Sequence, residues 1–258
     1  MYVARIEFVF RCIIDYVGCL IELITMQALV TGGSGFIGSE LIRQLVAKGI
    51  HVRALLRDTS SLENLSGVEY ERANGHLGDL EALKNAVRGV DIVFHLAGMI
   101  NAKTRSEYFT HNAVGTENLA HACAEVNPKL KRFVYVSSLA ATGPSATRNP
   151  RVESDTCIPI SAYGESKLGG ELGLKKWAAN ASFPFTIVRP PVVYGPRDKG
   201  IFEFVKFANS GVLPVFPSRD ATGEKYFSVI YVEDLVRGIL QAGLAEGQSK
   251  SEVFFLCD

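Results

Sequence analysis

Apolar, β-branched-rich runs recur along the chain at 28–30, 51–56, 68–70, 91–96, 132–136, 185–188, 227–231 and 253–256. Between them, apolar residues return at the spacing of amphipathic helices over 36–47, 80–87, 106–124, 161–179, 201–209 and 232–244. Short apolar runs bounded by polar turns read as buried strands, and the longer periodic stretches read as helices. Strands alternating with helices of this length predict βαβ units and a doubly wound parallel sheet of the α/β class, with right-handed crossovers. No internal repeat or low-complexity tract interrupts the pattern. Proline and glycine concentrate in 190–200 and again in 211–223, where a regular sheet should give way to irregular structure.

The ends of the 258-residue chain need separate treatment. The stretch 6–24 is apolar but carries Glu7, Arg11, Asp15 and Glu22. A membrane span wants about 20 nearly uncharged residues, and an interrupted apolar core without a small-residue cleavage site argues against a signal peptide. Two readings stay open: an amphipathic extension, or upstream sequence ahead of a true start at Met26. At the other end, 254–258 follows directly on a strand-like run, so the domain is expected to continue beyond it. The predicted division is an unassigned extension over 1–25, a nucleotide-binding domain over 26–190, and a substrate-binding region over 191–258 whose late strands return to the sheet.

Composition narrows the classes. Hydrophobic residues make up 47% and charged ones 21%, as in a globular protein with a substantial core. Lys+Arg and Asp+Glu balance at 27 each, so nothing in the net charge points to nucleic acid or an anionic membrane. The five cysteines are scattered and form no C-x-x-C, so a reducing cytoplasm is the expected compartment. No H-E-x-x-H or Cys/His cluster has metal-ligand spacing, and His95 is read as a packed strand-end residue. There is no G-x-x-x-x-G-K-[ST] and no G-x-S-x-G, which argues against a P-loop NTPase and a hydrolase elbow.

Three motifs could carry chemistry. The run Thr31-Gly32-Gly33-Ser34-Gly35-Phe36-Ile37-Gly38 lies between a predicted strand and a predicted helix, the context in which G-x-G-x-x-G reads as a dinucleotide site. Gly32 permits a tight turn, Gly35 keeps side chains away from a pyrophosphate, and Gly38 allows close packing. The helix N-terminus offers unpaired N–H groups to phosphates. Tyr163 and Lys167 stand four apart, on one face of a helix. An ammonium there should favour the phenolate, lower the tyrosine pKa and make it a usable acid/base. Ser137 and Ser138 end the run 133–136, and ligands of open α/β sheets bind at such carboxyl ends.

Taken in order, these motifs resemble the extended short-chain dehydrogenases/reductases, the NAD-dependent epimerase/dehydratase family with its Rossmann fold. The resemblance extends through Gly78-Asp79-Leu80, His95-Leu96-Ala97-Gly98, Asn112-Ala113-Val114-Gly115-Thr116, the 189–198 segment beginning Arg189-Pro190, and Tyr231-Val232-Glu233-Asp234-Leu235. It implies that Tyr163 is the acid/base, that Lys167 tunes it and binds the nicotinamide ribose, and that Ser138 orients the reacting oxygen. Asn112 would support a helix carbonyl and a water in the proton path. Gly32, Gly35, Phe36, Ile37, Gly38, Arg57, Asp79, Leu80, Leu96, Ala97, Gly98, Pro190 and Val193 would join Tyr163 and Lys167 around the cofactor.

Cofactor and substrate follow less directly. An acid about 20 residues beyond the glycines would hold the ribose of NAD. Its expected position is Leu56, and Arg57 follows, with a guanidinium suited to a 2′-phosphate. NADP is therefore expected over NAD, although Asp58 keeps NAD open. Nucleotide-sugar enzymes of the family commonly carry an arginine before the Tyr231 segment, where this chain has Phe227, with Lys225 out of register. Arg197 or Arg219 could replace that contact from another loop. The expected reaction is hydride exchange with a carbonyl or secondary alcohol, closest to the dihydroflavonol-reductase-like and hydroxysteroid-dehydrogenase-like members. The alternatives are a nucleotide-sugar epimerase or dehydratase and a non-catalytic cofactor-binding scaffold or redox sensor. The expected partner is a small molecule, with no metal, and a homodimer is left open.

Overall fold

The computed structural model describes residues 26–145, 147, 149–211, 226–245 and 252–257. The expectations for 1–25, for the segment 212–225 that holds Arg219 and Lys225, and for the end of the chain at 258 lie outside the described residues.

Seven strands form one parallel sheet: β1 (Gln27–Thr31), β2 (His51–Leu56), β3 (Glu71–Asn74), β4 (Ile92–His95), β5 (Arg132–Val136), β6 (Phe185–Arg189) and β9 (Glu252–Phe255). Their order is β3-β2-β1-β4-β5-β6-β9. Two short strands, β7 (Val192–Tyr194) and β8 (Val229–Tyr231), pair separately. The helices are α1 (Phe36–Ala47), α2 (Leu80–Val87), α3 (Arg105–Tyr108), α4 (Gly115–Val126), α5 (Ala162–Ala181), α6 (Gly200–Asn209) and α7 (Val232–Leu244). A π-helical turn, Phe109–Val114, joins α3 to α4.

The central strands are buried on both faces and alternate between two cores. On β1, Ala28 and Val30 pack with Leu41, Ile42 and Leu45 of α1 and Leu235 of α7. Leu29 faces the other way, toward Leu83 of α2, Leu119 of α4 and Leu174 of α5. On β5, Val134 and Val136 join the first core, and Phe133 and Tyr135 the second. Each fully buried side chain of this kind contributes roughly 1.5–3 kcal/mol relative to exposure. Strand order reverses beside β1, which pairs with both β2 and β4. A crevice therefore opens at the carboxyl ends of β1 and β4, where such sheets bind ligands. A cavity of about 660 Å³ lies elsewhere, at the opposite ends of β1 and β2, against Gln27, Val46, His51 and Tyr70.

Three expectations are corrected. The third strand is not 68–70 but Glu71–Asn74, an edge strand whose exposed Glu71 and Arg72 carry no apolar signal. Val68 and Tyr70 instead fill the first core just before it. The late run 227–231 contributes only β8, which joins β7 rather than the main sheet; β9 does return to it. The helix read over 106–124 is interrupted by the π-turn, in which Gly115 N–H reaches back five residues to Thr110 O.

One buried ion pair ties α5 to the carboxyl ends of β5 and β6. Arg189 grips Glu171 with two bonds, Nε to Oε1 at 2.9 Å and Nη2 to Oε2 at 2.6 Å. Ser137 Oγ donates a third bond to Oε1 at 2.6 Å. Glu171 and Arg189 are both buried. Removing one partner of such a pair leaves an uncompensated charge in the interior. Glu171→Gln should therefore lower the unfolding free energy by about 3–5 kcal/mol, read from urea denaturation. A loss below about 1 kcal/mol, the range of an exposed pair, would contradict this account.

Candidate active site

The glycine turn sits at the mouth of the crevice. Gly32 has φ 75°, and a Cβ there would stand 2.6 Å from Ala97 N. A Cβ on Gly38 would stand 2.2 Å from Gly32 O, so only glycine lets α1 start this close to the turn. Gly35 N–H closes the turn on Gly32 O at 3.0 Å. Gly35 also caps α1 without a side-chain bond, and the helix has no acid in its first turn. Phe36 and Ile37 begin the helix and pack against the first core. The result is a side-chain-free cradle with N–H groups and no negative charge, which fits a pyrophosphate. Leu96, Ala97 and Gly98 follow β4 on the other side of the crevice.

Gly98 brings the two halves of the site together. A Cβ there would lie 3.1 Å from Asn112 Oδ1 and 3.6 Å from Lys167 Nζ. Asn112 is buried in the π-turn. Its Oδ1 accepts from Met99 N–H at 2.7 Å, and its Nδ2 donates to Met99 O and Ser166 Oγ, both at 2.9 Å. Ser166 Oγ in turn donates to Tyr163 O at 2.7 Å. Asn112 thus stitches the loop after β4 to the first turns of α5.

Ser161 starts α5 by accepting from Gly164 N–H at 3.1 Å, and the helix carries Tyr163, Lys167 and Glu171 along one side. Tyr163 lies beside Ser138, whose hydroxyl favours the phenolate, and meets the Tyr108 ring edge-on at 6.0 Å. Ser138 Oγ also accepts from Ala140 N–H at 3.1 Å. The adjacent serines therefore part company: Ser138 meets Tyr163, and Ser137 serves Glu171. Lys167 is buried, donates to Val136 O at 2.8 Å, and stands 4.3 Å above the Tyr135 ring. Pro190 accepts from Leu139 N–H at 2.9 Å, and Val193 pairs with Ile230 beside it.

The electrostatics differ from the expectation in one respect. Burial raises the Tyr163 pKa above its ordinary value, although the Ser138 hydrogen bond opposes that shift. Burial therefore outweighs the expected lowering, and the tyrosine rests as the phenol. Burial also lowers the Lys167 pKa to about 7, against the charge of Glu171, which favours the ammonium. The sign is that of a destabilised cation, which loses its proton as pH rises through that value. NMR titration with ¹³C-labelled lysine should show one ammonium titrating near 7, absent in Lys167→Met. Retention of every lysine proton up to about pH 9, toward the ordinary lysine range, would contradict the assignment.

A polar chain missed in the sequence runs beneath these residues. Ala97 N–H donates to Thr31 Oγ1 at 3.2 Å, and Thr31 Oγ1 meets His95 Nδ1 at 2.7 Å. His95 Nε2 meets Thr116 Oγ1 at 2.8 Å, and Thr116 Oγ1 donates to Asn112 O at 2.6 Å. An amide N–H only donates and a carbonyl only accepts. Thr116 gives its proton to Asn112 O, so His95 Nε2 must donate, and of the two neutral forms only the Nε2–H tautomer satisfies all four bonds. Burial, helped by Lys167, holds the His95 pKa well below the usual range. ¹⁵N NMR should find Nε2 protonated and Nδ1 bare, unchanged from about pH 8 to 5, across the ordinary histidine range. A titrating ring or the Nδ1–H form would contradict the chain.

The remaining predicted residues lie apart from this centre. Asp79 caps α2 by accepting from Ala82 N–H at 3.0 Å, with Leu80 as the first helical residue. Arg57 is exposed beyond the end of β2. Arg197 is paired with Glu40 of α1. Among the described residues, no group of three or more His, Cys, Asp or Glu could hold a metal, and no helix is long and apolar enough to cross a membrane.

A parallel sheet with a glycine cradle at its crossover point and a tyrosine–lysine helix beside it defines a nucleotide-dependent Rossmann protein. The chain belongs to the NAD dependent epimerase/dehydratase family, which it matches over residues 28–256. It is 30% identical over 240 residues to a 4-hydroxy-2-methyl-3-oxo-4-farnesyl-3,4-dihydroquinoline-1-oxide ketoreductase of Stigmatella aurantiaca, covering 90% of this chain and 68% of that one. It is 34% identical over 208 residues to a ceramide reductase of Caulobacter vibrioides, covering 80% of this chain and 57% of the relative. Several curated relatives that it matches are nearly twice as long as the matched part, which is 53% of one and 55% of another. Among solved structures, UDP-glucuronic acid 4-epimerase from Bacillus cereus in complex with NAD is similar at a TM-score of 0.77 and 27% identity, covering 90% of this chain and 78% of that one.

Proposed function

We propose that the protein is a reductase that moves a hydride between a nicotinamide cofactor, NADP in preference to NAD, and a carbonyl or secondary alcohol. The observation that carries this reading is Tyr163, beside Ser138 and one helical turn from the buried Lys167. A bound reduced nicotinamide supplies the hydride. Ser138 would orient the carbonyl oxygen, and the Tyr163 phenol would give it a proton as the carbon is reduced. The raised Tyr163 pKa keeps the phenol protonated, as a proton donor requires. Lys167 would hold the nicotinamide ribose and stabilise the phenolate left behind. The presence of both residues weighs against a scaffold or redox sensor.

NADP is supported by Arg57, and by the absence of an acid at Leu56, which is buried and apolar at the end of β2. A free carbonyl compound is supported by Phe227, exposed where nucleotide-sugar enzymes carry their clamp, and by the pairing of Arg197 with Glu40. The two named relatives are reductases. The second reading, a nucleotide-sugar epimerase or dehydratase, is favoured by the likeness to UDP-glucuronic acid 4-epimerase. Either reading involves a small-molecule substrate and the cytoplasm, without a nucleic-acid or membrane partner, and leaves a homodimer open.

A turnover screen of ketones, aldehydes, steroids and nucleotide sugars with NADPH and NADH separates the readings. The reductase oxidises NADPH with a lower KM than NADH. Conversion of a nucleotide sugar without net cofactor oxidation selects the epimerase. With the substrate so found, Tyr163→Phe should lower kcat about 10²–10⁴-fold, and near-normal turnover would break the mechanism.

A further inference from the structure

A second arginine stands over the end of β2, and it comes from β3. Arg72 pairs across the sheet with Ala54, two residues before Leu56. Its Nε donates to Asn74 Oδ1 at 2.6 Å, and its Nη2 reaches Arg57 O at 3.4 Å and lies 3.7 Å from Asp58 Oδ1. The guanidinium is thus laid across the strand end. Arg57 itself is held in a tight turn, with Ser60 N–H donating to Arg57 O at 3.0 Å and Arg57 N–H to Ser60 Oγ at 3.1 Å.

This arrangement changes the meaning of Asp58. It is the carboxylate nearest the place where a ribose-binding acid would stand, yet it faces Arg72. The Asp58 side chain is 90% exposed and the Arg72 side chain 35% exposed. An exposed ion pair at this distance is weak, so Asp58 can yield to a stronger anion. A phosphate dianion is such an anion, and guanidinium groups match its oxygens with parallel donors.

We infer that Arg72 is a specificity-determining residue: with Arg57 it forms a two-arginine seat for the 2′-phosphate of NADP, and Asp58 holds it in place as a displaceable counter-ion. The inference rests on the NADP preference proposed above. It adds a residue from a different strand and removes Asp58 as a ribose ligand.

Isothermal titration calorimetry of the full chain with NADP⁺ and NAD⁺ tests it without turnover. The unmodified protein should bind NADP⁺ more tightly. Arg72→Gln should weaken NADP⁺ about tenfold, the loss of one charge-assisted hydrogen bond, and leave NAD⁺ within about twofold. Arg72→Lys, which keeps the charge, should recover part of the loss. Tighter binding of NAD⁺ by the unmodified protein would overturn the cofactor reading and this inference with it. An NADP⁺ preference that survives Arg72→Gln, or an equal loss of both nucleotides, would overturn the inference alone.

Discussion

The burial of the Lys167 ammonium is the constraint on which the rest of the site depends. A lysine taken out of water loses its charge unless the interior replaces the hydration it gave up. Here the replacements come from three elements. Val136 O at the end of β5 accepts a hydrogen bond from it, the Tyr135 ring offers a negative face, and Glu171 one turn further along α5 supplies the opposite charge. Each of these needs a neighbour of its own. Glu171 is buried only because Arg189 and Ser137 satisfy it. A Cβ at Gly98 would crowd Asn112 Oδ1 at 3.1 Å and touch Lys167 Nζ at 3.6 Å.

Burial, and to a lesser degree Lys167, keeps His95 neutral. A cationic imidazole stacked 5.2 Å from the Tyr135 ring, with Lys167 also over that ring, would set two like charges in an apolar interior. Hydrogen bonding to Thr31 and Thr116 fixes the tautomer, and burial keeps the ring neutral. The chain that results joins Thr31, immediately before the glycine turn, to Asn112, which anchors the start of α5. The cofactor cradle and the Tyr163 helix are therefore parts of one hydrogen-bonded unit, although they lie on opposite sides of the crevice.

Much of this was legible in the sequence, for physical reasons that also explain what was not. Strands β1, β2, β4, β5 and β6 are buried on both faces and read as continuous apolar runs; β3 is an edge strand with Glu71 and Arg72 outside, and its signal shifted to the apolar residues before it. One extra residue in a helical turn does not disturb a three-to-four periodicity, so the π-turn around Asn112 was invisible. The cradle and the Tyr163–Lys167 pair are local motifs and could be read directly. His95 was read correctly as packed, but its partners Thr31 and Thr116 are distant in sequence and become neighbours only when β1 and β4 pair. The Tyr163 pKa was misjudged because spacing alone reveals a nearby cation and hides the burial that outweighs it.

The central claim is that this site transfers a hydride to a carbonyl carbon while Tyr163 protonates the oxygen. Deuterium at C4 of the reduced nicotinamide tests it most directly, in a single turnover with a carbonyl substrate followed by mass spectrometry. The account predicts one deuterium on the new carbinol carbon, one equivalent of oxidised cofactor, and a hydroxyl proton drawn from solvent. Product without deuterium, or formed without net oxidation of the cofactor, would contradict it.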